Sequence, residues 1–137
     1  MALVLGAILT ACGGAQAAAP TPPLRGDPER GKALFTTGVQ PACATCHLVR
    51  DTSDGLIGPE LTHIGTTAAE RVKDPGYTGS AKDAAGYLRE SITAPNAYIA
   101  PTCPAGACFR DVMPQDFAQK LTTQQVADLV AYMLTLK

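Results

Sequence analysis

Tryptophan is absent from the 137 residues, and aromatic side chains make up only 5% of them. A small core so poor in rings is short of bulk, which hints at a cofactor inside it. Neither sign of charge dominates, since 11 Lys and Arg against 12 Asp and Glu leave a formal net charge of −1. The basic residues stand singly, which excludes a nucleic-acid surface, a phosphate cradle or a basic membrane patch. The N-terminal apolar run, Ala2 to Ala11, is far too short for the ~20 residues that span a bilayer. No stretch alternates convincingly as a strand, and no internal repeat is visible. The length fits one domain with appendages.

Cysteine, by contrast, is plentiful for so short a chain: Cys12, Cys43, Cys46, Cys103 and Cys108. An odd number needs accounting, and context divides them into one, a pair and a second pair. Cys12 ends Leu9-Thr10-Ala11-Cys12, directly after the apolar run. That run matches the apolar segment of a secretory signal. Its ending resembles a bacterial lipoprotein signal, whose cysteine becomes the first mature residue and carries lipid. An ordinary signal cleaved near Ala15-Gln16-Ala17 is the other reading. No Lys or Arg precedes the apolar run, so the usual positive start is lacking, and a retained segment packed on a membrane assembly also stays open. Residues 13–28 are rich in Ala, Gly and Pro and read as a tether. Fully extended, it would reach up to ~50 Å. The expected division is a signal segment over 1–11, a lipidated Cys12 and flexible tether over 12–26, and one domain over 27–137.

Three helices are predicted in that domain. Asp27 is a candidate N-cap with Pro28 at the first helical position, Glu29 in the first turn and Gly38 as a stop. Ser80, with Asp83 three residues on, reads as the cap of a second helix. Its apolar stripe is Ala85, Leu88 and Ile92, and Pro95 closes it. The third opens on a capping box of Thr122 and Gln125, with Leu121 and Val126 at hydrophobic-staple spacing. Val126, Leu129, Val130 and Met133 then repeat at helical spacing. Long loops rich in Gly, Pro and Thr lie between these helices, so the fold class is all-α.

Cys43-Ala44-Thr45-Cys46-His47 carries the chemistry. A redox dithiol, a zinc clip and a covalent haem attachment all use a C-x-x-C pair. The dithiol would want a βαβ context, which is lacking. Zinc would want a second ligand pair, but four residues separate Cys103 from Cys108 in a proline-flanked loop. Covalent haem c explains the histidine too. Thiols one helical turn apart each bond a vinyl group, and His47 projects over the iron as proximal ligand. Met113, in Asp111-Val112-Met113-Pro114, is the best candidate for the far axial position; the alternative is a buried core methionine. A neutral, soft thioether favours ferrous iron and raises the reduction potential. His63 is a second candidate, although a lone histidine beside an apolar run is more often a hydrogen-bonded structural group.

With these motifs in place, residues 27–137 resemble a class I c-type cytochrome, a small helical fold whose long loops wrap one covalently bound haem. Supporting the resemblance are Ile57-Gly58-Pro59-Glu60-Leu61, Val112-Met113-Pro114 and the two terminal helices. It implies that the Pro59 carbonyl accepts from the second nitrogen of His47. It also implies that Gly31 and Phe35 meet Leu129 and Tyr132 where the terminal helices cross, and that Leu61 and Ile64 line the haem pocket. Tyr77, Tyr98 and Arg71 are guesses for the propionates. Tyr87 to Pro101 is similar to cytochrome domains attached to membrane respiratory complexes.

Cys103 and Cys108 are an addition to that pattern. In an exported protein a disulfide is the simple reading, worth roughly 2 kcal/mol for so short a loop and able to stiffen the Met113 loop. A reactive dithiol is the other. The expected function is electron transfer without enzymatic activity, through a haem whose axial positions are both filled. A haem enzyme or gas sensor with an open distal site is the competing class. The expected partners are redox proteins, namely other subunits of a membrane quinol-oxidising complex of the alternative complex III type or of a terminal oxidase. The expected place is the outer, periplasmic face of the bacterial cytoplasmic membrane, held by a lipid anchor. Arg50, Arg110, Asp111 and Asp116 near the candidate loops are of mixed sign, so docking should depend little on salt.

Overall fold

The computed structural model describes residues 24–137; the signal segment, Cys12 and most of the expected tether lie outside the described residues. In chain order the helices are α1 (Pro28–Ala33), α2 (Cys43–Cys46), α3 (Ile64–Arg71), α4 (Ala84–Thr93), α5 (Phe117–Lys120) and α6 (Thr123–Thr135). A π-helical turn, Leu34–Gly38, extends α1. Two short strands, β1 (Leu48–Val49) and β2 (Ser53–Asp54), pair antiparallel. None of the described helices is long and apolar enough to cross a membrane.

The two terminal helices form the frame. Asp27 caps α1, its Oδ1 accepting from the amides of Glu29 at 2.9 Å and Arg30 at 3.2 Å. Thr122 caps α6 in a complete capping box, donating its amide to Gln125 Oε1 at 2.8 Å and accepting from the Gln125 amide at 3.2 Å. The helices cross where Gly31 meets Asp128. A Cβ on Gly31 would lie 1.9 Å from the Asp128 carbonyl oxygen, so only glycine lets the backbones approach this closely. One turn on, the Phe35 and Tyr132 rings pack with centroids 5.5 Å apart and tilted by 57°. Phe35 and Leu129 are fully buried there, each worth about 1.5–3 kcal/mol relative to exposure.

A single carboxylate locks this crossing. Asp128 is 2% exposed. It accepts from the Asp27 amide at 2.8 Å, from Arg30 Nε at 2.9 Å and Nη2 at 3.1 Å, and from Gln124 Nε2 at 2.8 Å. Gln124 also donates to the Arg25 carbonyl at 2.9 Å, and a Cβ on Gly26 would meet the Ala127 carbonyl oxygen at 2.0 Å. Ordered contacts with α6 therefore begin at residue 25, inside the stretch expected to be tether.

The middle of the chain departs from expectation in three places. The β1–β2 pair was not anticipated: it spans only Leu48↔Asp54 and Val49↔Ser53, too few residues for alternation to show. Helix α3 was not anticipated either. Its buried residues are Ile64, Gly65 and Ala68, two of them too small to register as an apolar stripe. It docks on the end of α6 through backbone: the Gly65 amide donates to the Leu136 carbonyl at 2.8 Å. Third, the cap of α4 is Asp83, which accepts from the Gly86 amide at 2.7 Å. Ser80 instead gives its amide and hydroxyl, both at 2.8 Å, to the Glu90 carboxylate, to which Tyr77 also donates. Asp and Ser are near-equal caps, and Glu90 claims the serine.

The side-chain hydrogen bond from Arg30, ahead of those from Asp27 and Gln124, holds the Asp128 carboxyl down at about 2. An aspartate in the unfolded chain titrates near ~3.9, so this node contributes fully above about pH 4 and loses its contribution as pH falls toward about 2. Asp128→Asn should destabilise the haem-loaded protein by about 1–2 kcal/mol at pH 7, the exposed Arg30 being screened by water. Denaturant titrations across pH should show the gap from wild type closing below about pH 4; a gap independent of pH would refute the ionic role.

Candidate functional site

The Cys43–His47 segment is one helical turn followed by an abrupt extension. In α2 the His47 amide donates to the Cys43 carbonyl at 3.0 Å, which puts the two cysteines one turn apart on one side. His47 itself is extended, with φ −108° and ψ 132°. Ser53 holds it there by donating its hydroxyl to the His47 carbonyl at 2.7 Å while accepting from the Val49 amide at 3.0 Å.

The following loop is pressed against this turn from behind. The amides of Ile57 and Gly58 both donate to the Cys46 carbonyl, at 3.1 and 2.8 Å. A Cβ on Gly58 would lie 2.5 Å from Cε1 of His47, so the loop backbone lies directly against the imidazole. Pro59 then offers its carbonyl to His47 Nδ1 at 2.8 Å. A carbonyl only accepts, so Nδ1 carries the hydrogen and Nε2 keeps a free lone pair. Burial lowers the His47 pKa, opposed in part by the Pro59 bond. The ring is thus neutral, with its orientation fixed and its Nε2 lone pair free.

His47 faces a largely apolar cavity of about 470 Å³. Cys43, Cys46, Pro59, Leu61, Ile64 and Met113 line the same cavity. Phe35, Leu129 and Met133 bring the terminal helices to its wall, and Arg71, Tyr87 and Tyr98 form another part of it. Tyr77, Tyr87 and Tyr98 cluster with centroids 5.2–6.1 Å apart, and the Arg71 guanidinium lies 5.7 Å over Tyr98. Leu56, Ile57, Phe109 and Val112 are lining residues that are also exposed, so the mouth of the cavity is apolar.

Cys103 and Cys108 are joined by a disulfide with Cα atoms 5.1 Å apart, and both line the cavity. His63 is outside it: the ring is exposed and Nδ1 pairs with the Lys137 carbonyl at 2.6 Å. Tyr77 is not on the wall, being engaged with Glu90. Cys12 lies outside the described residues. Leu56 and Phe109 were not anticipated as lining residues, because exposed apolar residues in loops carry no periodicity.

These donors fit haem better than the alternatives. Burial pushes the Cys43 thiol up to about 11, whereas a reactive dithiol needs thiolate. Among the described residues no group of three or more His, Cys, Asp or Glu converges as a metal site. An apolar slot bearing two thiols, an imidazole lone pair and a thioether suits a porphyrin. The Nη1 of Arg71 is buried without a partner on the wall of that slot, as a propionate would require.

The fold and this site define a small helical electron carrier with covalently attached haem. Residues 28–137 match the sequence family described as Cytochrome c, and the chain belongs to that family. Its cofactor is haem c, attached through Cys43 and Cys46, and its class of activity is electron transfer. No curated protein matches the sequence significantly. Among solved structures, the chain is similar to one described as SoxXA from P. pantotrophus. The identity is 22%, covering 82% of this chain and 83% of that one, with a TM-score of 0.49.

Gly58→Ala should displace the imidazole ring without touching either cysteine. Loss of ring orientation is expected to weaken axial ligation by on the order of tenfold to a hundredfold. A larger high-spin fraction in the ferric absorption and electron paramagnetic resonance spectra, with haem still covalently bound, would register it; an unchanged spin state would show that the ring tolerates the shift.

Proposed function

We propose that the chain is a membrane-tethered monohaem cytochrome in which His47 and Met113 are the two axial ligands. Haem supplies one-electron redox chemistry at its iron, and the protein has to bind, orient and seclude it. The carrying observation is that His47, with Nδ1 committed to Pro59, and Met113 line one cavity together. Cys43 and Cys46 would hold the haem through covalent thioether bonds. Pro59, Leu61 and Ile64 contribute to the largely apolar lining that would keep water from it. Arg71 offers its unpartnered guanidinium nitrogen to a propionate. Met113, a soft neutral donor, favours the ferrous state and keeps small ligands off the iron. With both axial positions filled the domain is a carrier and not an enzyme.

Membrane attachment rests on the apolar run ending in Leu9-Thr10-Ala11-Cys12, and the proposed location is the outer, periplasmic face of the bacterial cytoplasmic membrane. The similarity of Tyr87 to Pro101 to cytochrome domains of membrane respiratory complexes favours a fixed subunit of a quinol-oxidising or oxidase complex. Its redox partners would be neighbouring subunits.

Carbon monoxide tests the ligation. The reduced wild-type protein should bind it poorly at neutral pH. Met113→Ala should raise the apparent affinity by about 100-fold, as expected if the iron is open only ~1% of the time in wild type. Ready binding by wild type would instead favour a haem enzyme or gas sensor. For the partner, membranes from the native source would be solubilised gently and resolved on a native gel. Haem stain within a large complex is expected; a band running alone would make this a tethered shuttle.

A further inference from the structure

Met113 sits in a segment with no helix or strand, between the disulfide and α5. The disulfide braces only its beginning. There the Cys103 amide donates to the Gly106 carbonyl at 2.7 Å and the Gly106 amide returns to Cys103 at 3.0 Å. Beyond Cys108, Phe109 and Val112 are exposed, with relative accessibilities of 75% and 52%. Something else must hold the methionine.

Among the described residues, every hydrogen bond that reaches residues 109–115 from elsewhere in the chain involves Asn96. Its Oδ1 accepts from the Asp111 amide at 3.1 Å. Its Nδ2 donates to Asp111 Oδ1 at 2.6 Å and to Gln115 Oε1 at 2.9 Å. Its carbonyl accepts from Arg110 Nη1 at 3.1 Å. Gln115, held in this way, donates Nε2 to the carbonyl of Met113 at 2.6 Å. Asn96 therefore grips the loop on both sides of Met113, two residues before it and two after. The grip is set on a rearranged backbone, since Asp111 has a φ of 62°, a left-handed conformation that aspartate tolerates better than most residues.

Asn96 itself stands on a firm base. It follows Pro95, a lining residue at the end of α4. The Ala97 amide donates to the Ala94 carbonyl at 2.9 Å, and Thr78 donates its hydroxyl to the Ala97 carbonyl at 2.7 Å. Two residues on, Tyr98 is packed in the aromatic wall.

We infer that Asn96 is the positioning residue for the distal ligand: it transmits the rigidity of α4 to the Met113 loop and holds the thioether at the cavity wall. A thioether is a weak, uncharged donor, so its occupancy of the iron depends on how little freedom the loop has to lose. The inference rests on the His/Met ligation proposed above.

The test compares haem-loaded wild type, Met113→Ala, Asn96→Ala and Gln115→Ala. Two readouts are used: the weak red absorption band from sulfur to ferric iron, and the carbon monoxide affinity of the reduced form. Loss of the grip in Asn96→Ala should raise that affinity by about tenfold. This falls between wild type and Met113→Ala, with the unfolding midpoint nearly unchanged. Gln115→Ala should raise it by about fivefold, one hydrogen bond's worth. If wild type lacks the sulfur band and binds carbon monoxide like Met113→Ala, the ligation reading fails and this inference with it. If wild type has the band and Met113→Ala loses it, but Asn96→Ala binds carbon monoxide no better than wild type, Asn96 has no positioning role. Should Asn96→Ala fail to fold with haem, Gln115→Ala decides, since its side chain is exposed and wild-type affinity there overturns the inference.

Discussion

A domain with no tryptophan and three phenylalanines lacks the bulk to close a core on itself, and the chain is built around an apolar cavity of about 470 Å³ instead. This constraint governs where each element can go. Protein interiors are packed as densely as organic crystals, so the cavity demands one rigid, mostly apolar guest matched to its walls. The terminal helices cross where Gly31 admits the Asp128 carbonyl. From that crossing Phe35, Leu129 and Met133 reach the cavity, while α3 and α4 bring Ile64, Arg71 and Tyr87. The short helices and long loops follow from the same geometry. A flat guest needs several walls, each supplied by a few residues.

Charge is distributed to suit this interior. The ionic node of the frame, Asp128 with Arg30, lies at the crossing of α1 and α6, and neither residue lines the cavity. Within the wall the imidazole of His47 is kept neutral by burial. A one-electron change inside such a wall meets few dipoles able to reorient, which keeps the energetic cost of each transfer low. Arg71 and Glu60 are the charged residues of the lining, and Arg71 has its guanidinium over the Tyr98 ring and its Nη1 buried without a hydrogen-bond partner.

How much of this could be read from the chain depended on the range of each signal. The cysteine pair with its histidine, the Asp27 cap and the Thr122–Gln125 box are local patterns, and local chemistry enforces them. Arg71 and Tyr98 were guessed for the propionates and line the cavity; Tyr77, guessed with them, is taken by Glu90. The misses share another cause. Helix α3 escaped because Gly65 and Ala68 bury backbone more than side chain. Ser80 read as the cap of α4, but Asp83 takes that place and Glu90, ten residues on, claims the serine. Asn96 reads as one more turn residue after a proline, since its partners lie at 110, 111 and 115. Side chains whose role is to hold a distant loop leave no periodic trace.

The two sides of the site are therefore built to different standards of permanence. Around His47 the restraints are mostly backbone groups and close in sequence: Cys46 accepts from Ile57 and Gly58, and Pro59 accepts from the ring. Two covalent thioethers add to them, so this side is held by restraints that few single side chains supply. Around Met113 the restraints are side chains, Asn96 and Gln115, together with a disulfide that closes five residues short of it. Backbone hydrogen bonds survive almost any substitution, whereas a side-chain clamp can be adjusted by exchanging one residue. The Met113 side of the cavity can thus be adjusted through single side chains such as Asn96 and Gln115, while the mode of haem attachment stays constant.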